Sequence, residues 1–509
     1  MQKKGKMIAL AVLTVLVAGA VVFAILYGSR QVTGPSGTAG GINTGNAQIH
    51  LSESDTIASG AGISLDQKKV IINKGGTYYL DGELTDGQIY VKVGDEETVT
   101  LSLDGVTLSN KTDHPIHVEN AKETILTSGT DAVNTITSGE GVSVNSNKDT
   151  QVAAIYSRDD LTFEKGKYNV TASGDGLHSN DDITIKGGDI TIECGDDGVH
   201  ANEELLVKDG SITVKQSYEG LEANQITIED GEHDITSSDD GLNANGGPVS
   251  SGGFGGGRQG GGGKPDFGDG NDPGARDPGG TKPGSEDGSS GVSGEVTSKQ
   301  MSSTQQDSDS TTQETEDETA DEGKDDGTNT EKTPNLIISG GKLTVNAEGD
   351  GLDSNGNLIV KGGEIYVDGP SSSGNGALDV GTEIGGNCQI EGGTIIAVGN
   401  SGMAETFGDS STQCSFRYNL ESSYTENTEI SILSEDGKEI FQYKTKKTGN
   451  SVIFSSPELE KGKKYTLKVG DQTKEVTLSD ISSSFGTETR GMGGRGGHGG
   501  GKRPEGTMA

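Results

Sequence analysis

The 509 residues carry 40 lysines and arginines against 78 aspartates and glutamates, a formal net charge of −38 at pH 7. Such a surface repels phosphate backbones and excludes nucleic acid as a partner. Only 29% of the residues are hydrophobic and 4% aromatic, while 84 are glycine, which excludes a conventional large apolar core and points to a repetitive backbone or long linkers.

Taken in chain order, the first feature is an export signal. Lys3, Lys4 and Lys6 precede an uncharged apolar run over residues 7–27, long enough to cross a bilayer as a helix of ~20 residues. The basic flank places the N-terminus on the cytoplasmic side and everything after Arg30 outside. The alternative is a signal peptide cleaved near Ala18-Gly19-Ala20. On either reading residues 1–30 direct export or anchor the chain, residues 31–49 are a linker, and the protein is extracellular, held at the cell surface or secreted.

Residues 50–245 carry a repeat. Strand-like runs over residues 87–93 and 98–103 open it, and Pro115-Ile116-His117-Val118 starts a coil with a loop around residues 139–150. After Ala154-Ile155-Tyr156-Ser157 a signature recurs: Gly176-Leu177-His178-Ser179-Asn180, Gly198-Val199-His200-Ala201-Asn202, Gly220-Leu221-Glu222-Ala223-Asn224 and Gly241-Leu242-Asn243-Ala244-Asn245, at intervals of 22, 22 and 21 residues. Between copies, apolar residues alternate around a glycine turn, as in Ile183, Ile185, Gly187-Gly188, Ile190 and Ile192. Period-two alternation in runs this short means strands with one buried face. So small a unit cannot bury that face alone, and its neighbours must stack on a shared core of Ile, Leu and Val. The prediction is an all-β, right-handed parallel β-helix, a solenoid of about 22-residue coils. The last residue of each signature (Asn180, Asn202, Asn224, Asn245, Asn355) is expected to stack as an amide ladder.

Residues 246–334 shift to Gly, Ser, Asp, Glu, Thr and Pro, the composition of a disordered acidic insertion. The signature returns at Gly351-Leu352-Asp353-Ser354-Asn355, 110 residues after Gly241, so the insertion replaces one turn. A degenerate copy begins at Gly376, and the β-helix is expected to continue over residues 335–410. Residues 411–482 lose the period but keep short apolar runs such as Ser431-Ile432-Leu433 and Glu439-Ile440-Phe441. They read as a small antiparallel β module with Glu435-Asp436-Gly437 as a hairpin turn. Residues 483–509 are a Gly-rich, locally basic tail. The three cysteines, Cys194, Cys388 and Cys414, are too scattered for a disulfide framework or a thiolate metal site and read as buried thiols.

An acid stands before each full signature glycine: Asp175, Asp197, Glu219, Asp240 and Asp350, with Asp196 and Asp239 alongside. Stacking turns them into a column, where unit charges ~4.8 Å apart repel by roughly 3.5 kcal/mol at an effective dielectric of ~20. Calcium takes oxygen ligands at ~2.3–2.6 Å, which matches that spacing, so Ca2+ between coils is expected on these seven carboxylates. The alternative is that Asp-Gly supplies only a left-handed corner. His178, His200, Glu222 and Asp353 fall in a neighbouring outward column; with Tyr218 they are the candidates to touch a ligand, or else plain strand residues. No basic cluster faces the acids, so no catalytic residue is assigned and the chain reads as a non-enzyme.

The pattern Asp-Gly-Leu-x-Ser/Ala-Asn followed by Ile-x-Ile-x-Gly-Gly-x-Ile-x-Ile comes after an opening of Gly76-Thr77-Tyr78-Tyr79-Leu80-Asp81-Gly82-Glu83-Leu84 and Leu103-Asp104-Gly105-Val106. Together they resemble a bacterial family of extracellular carbohydrate-binding parallel β-helices. The resemblance covers roughly residues 50–245 and 335–480. It implies calcium sites between coils and affinity for acidic plant polysaccharide such as polygalacturonate (pectin), with cellulose as a further partner, and no hydrolysis. A chain of charge −38 repels a polyuronate, so calcium has to bridge the carboxylates of the two. Two alternatives stand beside this one: a pectate-lyase-like or glycoside hydrolase β-helix enzyme, and a calcium-stiffened structural adhesin stalk.

Overall fold

The computed structural model describes residues 45–144, 152–245, 333–382 and 385–487. The expected export segment, nearly all of the acidic insertion and most of the basic tail lie outside the described residues. Among the described residues there are 37 strands and no α-helix.

Each unit of the repeat lays down three short strands, and each strand pairs in parallel with its counterpart in the next unit. In the first ladder Leu177–Ser179 pairs with the start of Val199–Val207, followed by Leu221–Ile228, Leu242–Ala244, Leu352–Ser354 and Leu378–Val380. The second runs through Ile183–Ile185, the far ends of Val199–Val207 and Leu221–Ile228, then Asn335–Ile338, Asn357–Val360 and Cys388–Ile390. The third takes Asp189–Cys194, Ser211–Gln216, Glu232–Ser237, Lys342–Ala347, Glu364–Asp368 and Thr394–Gly399. The chain thus forms a stack of three-sided coils. Its alternation puts Leu177, Ile183, Ile185, Ile190 and Ile192 inside, all essentially inaccessible to water. Each such side chain contributes roughly 1.5–3 kcal/mol by burial, and many coils share one continuous core. All three cysteines are free and buried in it or beside it.

Two glycine positions do different work. Gly188 and Gly210, which follow the second ladder, sit at φ of 102° and 103°, a left-handed conformation that only glycine adopts without strain. The signature glycines have no such φ. A Cβ on Gly220 would stand 2.2 Å from the carbonyl oxygen of Gly241 and 2.3 Å from Ile235 Cγ2, so there the close approach of the next coil demands glycine.

The pairing crosses the long insertion without a break. Gln225 registers with Asn335 and Leu242 with Leu352, each 110 residues on, so the inserted segment leaves and rejoins the stack between the first and second ladders.

Both ends differ from expectation. Regular pairing begins with Gly45–Leu51, which runs parallel to Gly76–Leu84; residues from 45 onward therefore belong to the stack and not to the expected linker. At the other end the antiparallel module does not stand apart. Gly449–Ser455 pairs with Thr394–Gly399, the last strand of the third ladder, and with Ser415–Tyr424. That covers the open row of backbone donors and acceptors which a terminal coil would otherwise expose. Ile396 and Val398 share a second core with Phe416, Val452 and Phe454. A four-stranded sheet ordered Glu439–Lys444, Glu429–Ser434, Lys464–Val469, Gln472–Thr477 completes this part. Ser482–Gly486 then pairs with Ser415–Tyr424, so the chain stays ordered into what was expected to be tail.

Candidate functional site

The first ladder and the corner that leads into it present three columns to the outside. The outward residue of each strand forms one: Tyr90, His117, Tyr156, His178, His200, Glu222, Asn243, Asp353 and Asp379 follow one another in register. Asp175, Asp197, Glu219, Asp240 and Asp350 form the second, immediately before the signature glycine, and Asp196, Tyr218 and Asp239 the third. Backbone hydrogen bonds between coils hold the last two in line. Gly176 N–H donates to Asp197 O, Gly198 to Glu219 O and Gly241 to Asp350 O, while Tyr218 donates to Asp196 O and Asp239 to Tyr218 O.

Neither these acids nor the glycines after them have a positive φ, so Asp-Gly is not a left-handed corner here. Their carboxylates have a specific task instead. Asp175 Oδ1 accepts the N–H of Asp197 at 3.0 Å, Asp240 Oδ1 that of Asp350 at 2.6 Å, and Asp350 Oδ1 that of Gly376 at 2.5 Å. One oxygen of each is thereby tied to the next coil.

Two groups of carboxylates converge. Asp175, Asp196 and Asp197, all buried, bring one oxygen each within 4.8 Å of the others, and so do Asp240, Asp350 and Asp353. Burial, followed by the charge of Asp239, pushes Asp240 up to about 7; burial, followed by Asp240, pushes Asp350 up to about 8. Burial and then Asp197, Glu222 and Asp240 hold Glu219 well above the usual carboxylate range. Beside them Asn243 Oδ1 is buried and accepts no hydrogen bond. This all-oxygen, mutually repelling donor set fits a hard divalent cation such as calcium.

The expected ligand-touching residues are placed as columns but are already engaged. His178 Nδ1 is 2.8 Å from Asp175 Oδ2 and its Nε2 3.1 Å from Asn180 Oδ1. His200 Nδ1 lies 2.9 Å from Asp197 Oδ2 and 2.7 Å from Glu222 Oε2, with Nε2 2.9 Å from Asn202 Oδ1. The two rings stack face to face at 4.7 Å, and Tyr156 stacks on His178 at 5.3 Å and on His114 at 4.6 Å. Tyr156 and His200 thus cover the two faces of the His178 ring. His200 is buried, contrary to its expected place as a plain exposed strand residue. The Tyr218 hydroxyl is pushed up first by its hydrogen bond to Asp239 and then by burial, which ties it to the acid columns.

The signature asparagines also depart from expectation. Asn180 and Asn202 face the histidines, Asn245 donates to Glu222 Oε1 at 2.5 Å, and Asn355 reaches back to the carbonyl of Asn245 at 3.1 Å. They support the outward column more than they ladder with each other.

Sequence reasoning missed Asn243 and Asp379, although both occupy the outward column that was already recognised. It also missed a second acidic edge at the opposite end of the first-ladder strands. Asp160, Asp181, Asp182, Glu203, Glu204 and Gln225 line a groove there of about 330 Å³. Burial, with the charge of neighbouring acids, lifts Asp160 and Asp181. These pairs precede the second ladder and repeat with the same period, a signal present in the sequence.

The family model for carbohydrate-binding domain-containing proteins matches residues 66–376, which include the three columns except Asp379 at the end of the outward one. The chain belongs to this family. A curated member from Acetivibrio thermocellus, described as a carbohydrate-binding domain-containing protein, is 33% identical over 152 residues, 29% of this chain and 51% of that protein. The chain thus spans about half the length of that relative. Among solved structures, the gadolinium derivative of the polysaccharide lyase-like protein from C. thermocellum is 29% identical, covering 39% of this chain and 85% of that one, with a TM-score of 0.36.

Proposed function

We propose that this member of the carbohydrate-binding family is an extracellular, surface-attached protein, its coils wound as a right-handed parallel β-helix, that binds acidic polysaccharide of the polygalacturonate type through calcium and performs no catalysis. Asp175, Asp196, Asp197, Glu219, Asp239, Asp240 and Asp350 hold the ions, and Asp353 and Glu222 flank them. Calcium, when bound, supplies the positive charge that lets a protein of charge −38 meet a polyuronate. The protein's own residues do the rest: backbone N–H groups fix one oxygen each of Asp175, Asp240 and Asp350, and the coil rise sets the spacing between neighbouring sites.

The observation that carries this reading is the pair Asp240 and Asp350, raised to about 7 by burial and Asp239 and to about 8 by burial and Asp240 respectively. Like charges kept buried at a repeated position need a cation or a proton, and the first explains why the column is built of acids at all. The test is retention of the full chain on a polygalacturonate gel with calcium, then with excess chelator. Calcium-dependent retardation with no unsaturated product absorbing in the ultraviolet supports the proposal. Calcium-raised melting without retention assigns the column to stiffening alone, a reading favoured by the burial of Asp197 to 1% exposure. Unsaturated product or new reducing ends would make the protein an enzyme.

A further inference from the structure

The same three columns continue toward the N-terminus, where their chemistry changes. Ile116 registers with Ile155, and Ile155 with Leu177. His114 therefore occupies the position of Asp175 and Asp197, Asp113 that of Asp196, and His117 that of His178 and His200. The coil between carries Val152 and Ala153 at the two acid positions, so an apolar step separates this cluster from the oxygen column.

Asp113, His114 and His117 each bring one ligand atom within 4.8 Å of the other two. His114 Nδ1 lies 3.0 Å from the carbonyl oxygen of Ala153. A carbonyl only accepts, so Nδ1 carries the proton and Nε2 keeps its lone pair. Both ring nitrogens of His117 are buried, and neither makes a hydrogen bond. Its Nδ1 stands 3.8 Å from Asp113 Oδ1 and its Nε2 3.4 Å from Glu119 Oε2. The first separation is too long for a hydrogen bond but close to the ~3.3 Å between two ligands that each hold a tetrahedral zinc at ~2.0–2.1 Å. Glu119 stands where an outer carboxylate receives the N–H of a metal-bound imidazole. Pro115 restricts the backbone between the two histidines.

We propose that Asp113, His114 and His117 form a binding site for a borderline divalent transition ion, Zn2+ by its ligand chemistry, distinct from the all-oxygen sites further along the edge. Two imidazoles and one carboxylate are a zinc donor set, whereas calcium prefers oxygen alone. Three protein ligands leave the fourth position to water. Glu119 is a positioning residue that orients His117.

The experiment titrates ZnCl2 into the untagged full chain by calorimetry with calcium held in saturating excess, and repeats the titration with Co2+ followed by its visible absorption. The expected result is one tight zinc equivalent that calcium does not displace, and a tetrahedral cobalt spectrum. His117→Tyr keeps an aromatic ring between Tyr90 and Tyr156, which occupy the same column on either side, and should abolish that equivalent while the protein still melts cooperatively. Glu119→Gln should weaken it about 10–100-fold, and Asp350→Asn should leave it unchanged. No zinc uptake, uptake that calcium competes away, or an equivalent that survives His117→Tyr would each overturn the site.

Discussion

Along one ladder the outward column reads Tyr90, His117, Tyr156, His178 and His200 at its beginning and Glu222, Asn243, Asp353 and Asp379 at its end. Backbone and register are the same throughout; only the side chains change. Strands ~4.8 Å apart suit packed rings, and those of the column are separated by 4.7–5.3 Å, stacked from Tyr156 to His200 and edge-on at His117. The same spacing sets carboxylates against one another, and in the neighbouring column Asp240 and Asp350 show the cost in their raised values. A repeating scaffold therefore fixes distance but not sign. One half of the column packs ring against ring, and the other half gathers carboxylates with an amide among them.

The largest blow to that contrast should come at its junction. His200 is the last ring, and it separates Asp197 from Glu222. His200→Ala removes the shared donor and leaves two poorly solvated carboxylates facing each other, a loss of about 3 kcal/mol in calcium-free urea unfolding. An unchanged midpoint would mean that the rings contribute nothing to the carboxylate half. Next in size, Gly220→Ala tests the template common to both halves. Its Cβ would press on the Gly241 carbonyl and Ile235, and a cost of roughly 2 kcal/mol is expected with or without calcium.

Asp350→Asn sharpens the comparison by changing sign with conditions. In excess chelator, Asp350 ionises only at about 8 in the folded protein, against ~3.9 when unfolded. A raised carboxyl contributes stability that is complete below the unfolded value and lost as pH climbs to the folded one. Melting of the calcium-free protein should therefore decline from pH 4 toward pH 8 (~3.9 to the folded value), more gently in Asp350→Asn. At pH 8 with chelator the variant should melt a few degrees higher than the parent (~2–4 °C). With calcium added it should lose most of the parent's gain. A variant that gains as much from calcium as the parent would remove Asp350 from the ion sites.

How much of this was legible beforehand depends on what each residue had to announce. The coil length, the apolar faces and the acid column follow from spacing alone, because a stack converts period directly into neighbours. Glu219 and Asp350 could be aligned by counting across an insertion. Burial could not be counted: His200 looks like any outward strand residue until Asn202 and the neighbouring acids close around it. The role of the signature glycine was not legible, because Asp-Gly is also a common turn dipeptide, and only the 2.2 Å approach at Gly220 shows the actual constraint. The Asp113–His114–His117 cluster was hidden by a broken period. Pro115 stands where glycine stands in later coils, so the signature is not recognisable there. The docking of Gly449–Ser455 on the last coil depends on a long-range antiparallel pairing that no local pattern encodes.

The smallest expected effect concerns an imidazole on the wrong side of the wall. His233 points inward in the third ladder, registered between Ile212 and Leu343. Its Nε2 is 3.1 Å from the carbonyl oxygen of Asp230, and its buried Nδ1 has no hydrogen-bond partner. Burial holds its value below that of an ordinary histidine. A lowered base contributes stability above its unfolded value of ~6.5 that is lost as pH falls through the folded value, because the unfolded chain takes up a proton that the folded one refuses. His233→Leu continues the aliphatic column, so it should stabilise the protein by about 1 kcal/mol at pH 7.5. The gain should widen at pH 5, where the parent alone carries the penalty. Outward His200 gives the opposite result on truncation because it has three polar partners where His233 has one. If His233→Leu destabilised the stack at both pH values, the Asp230 hydrogen bond would outweigh the buried unpaired nitrogen, and the distinction between the two histidines would rest on solvent access alone.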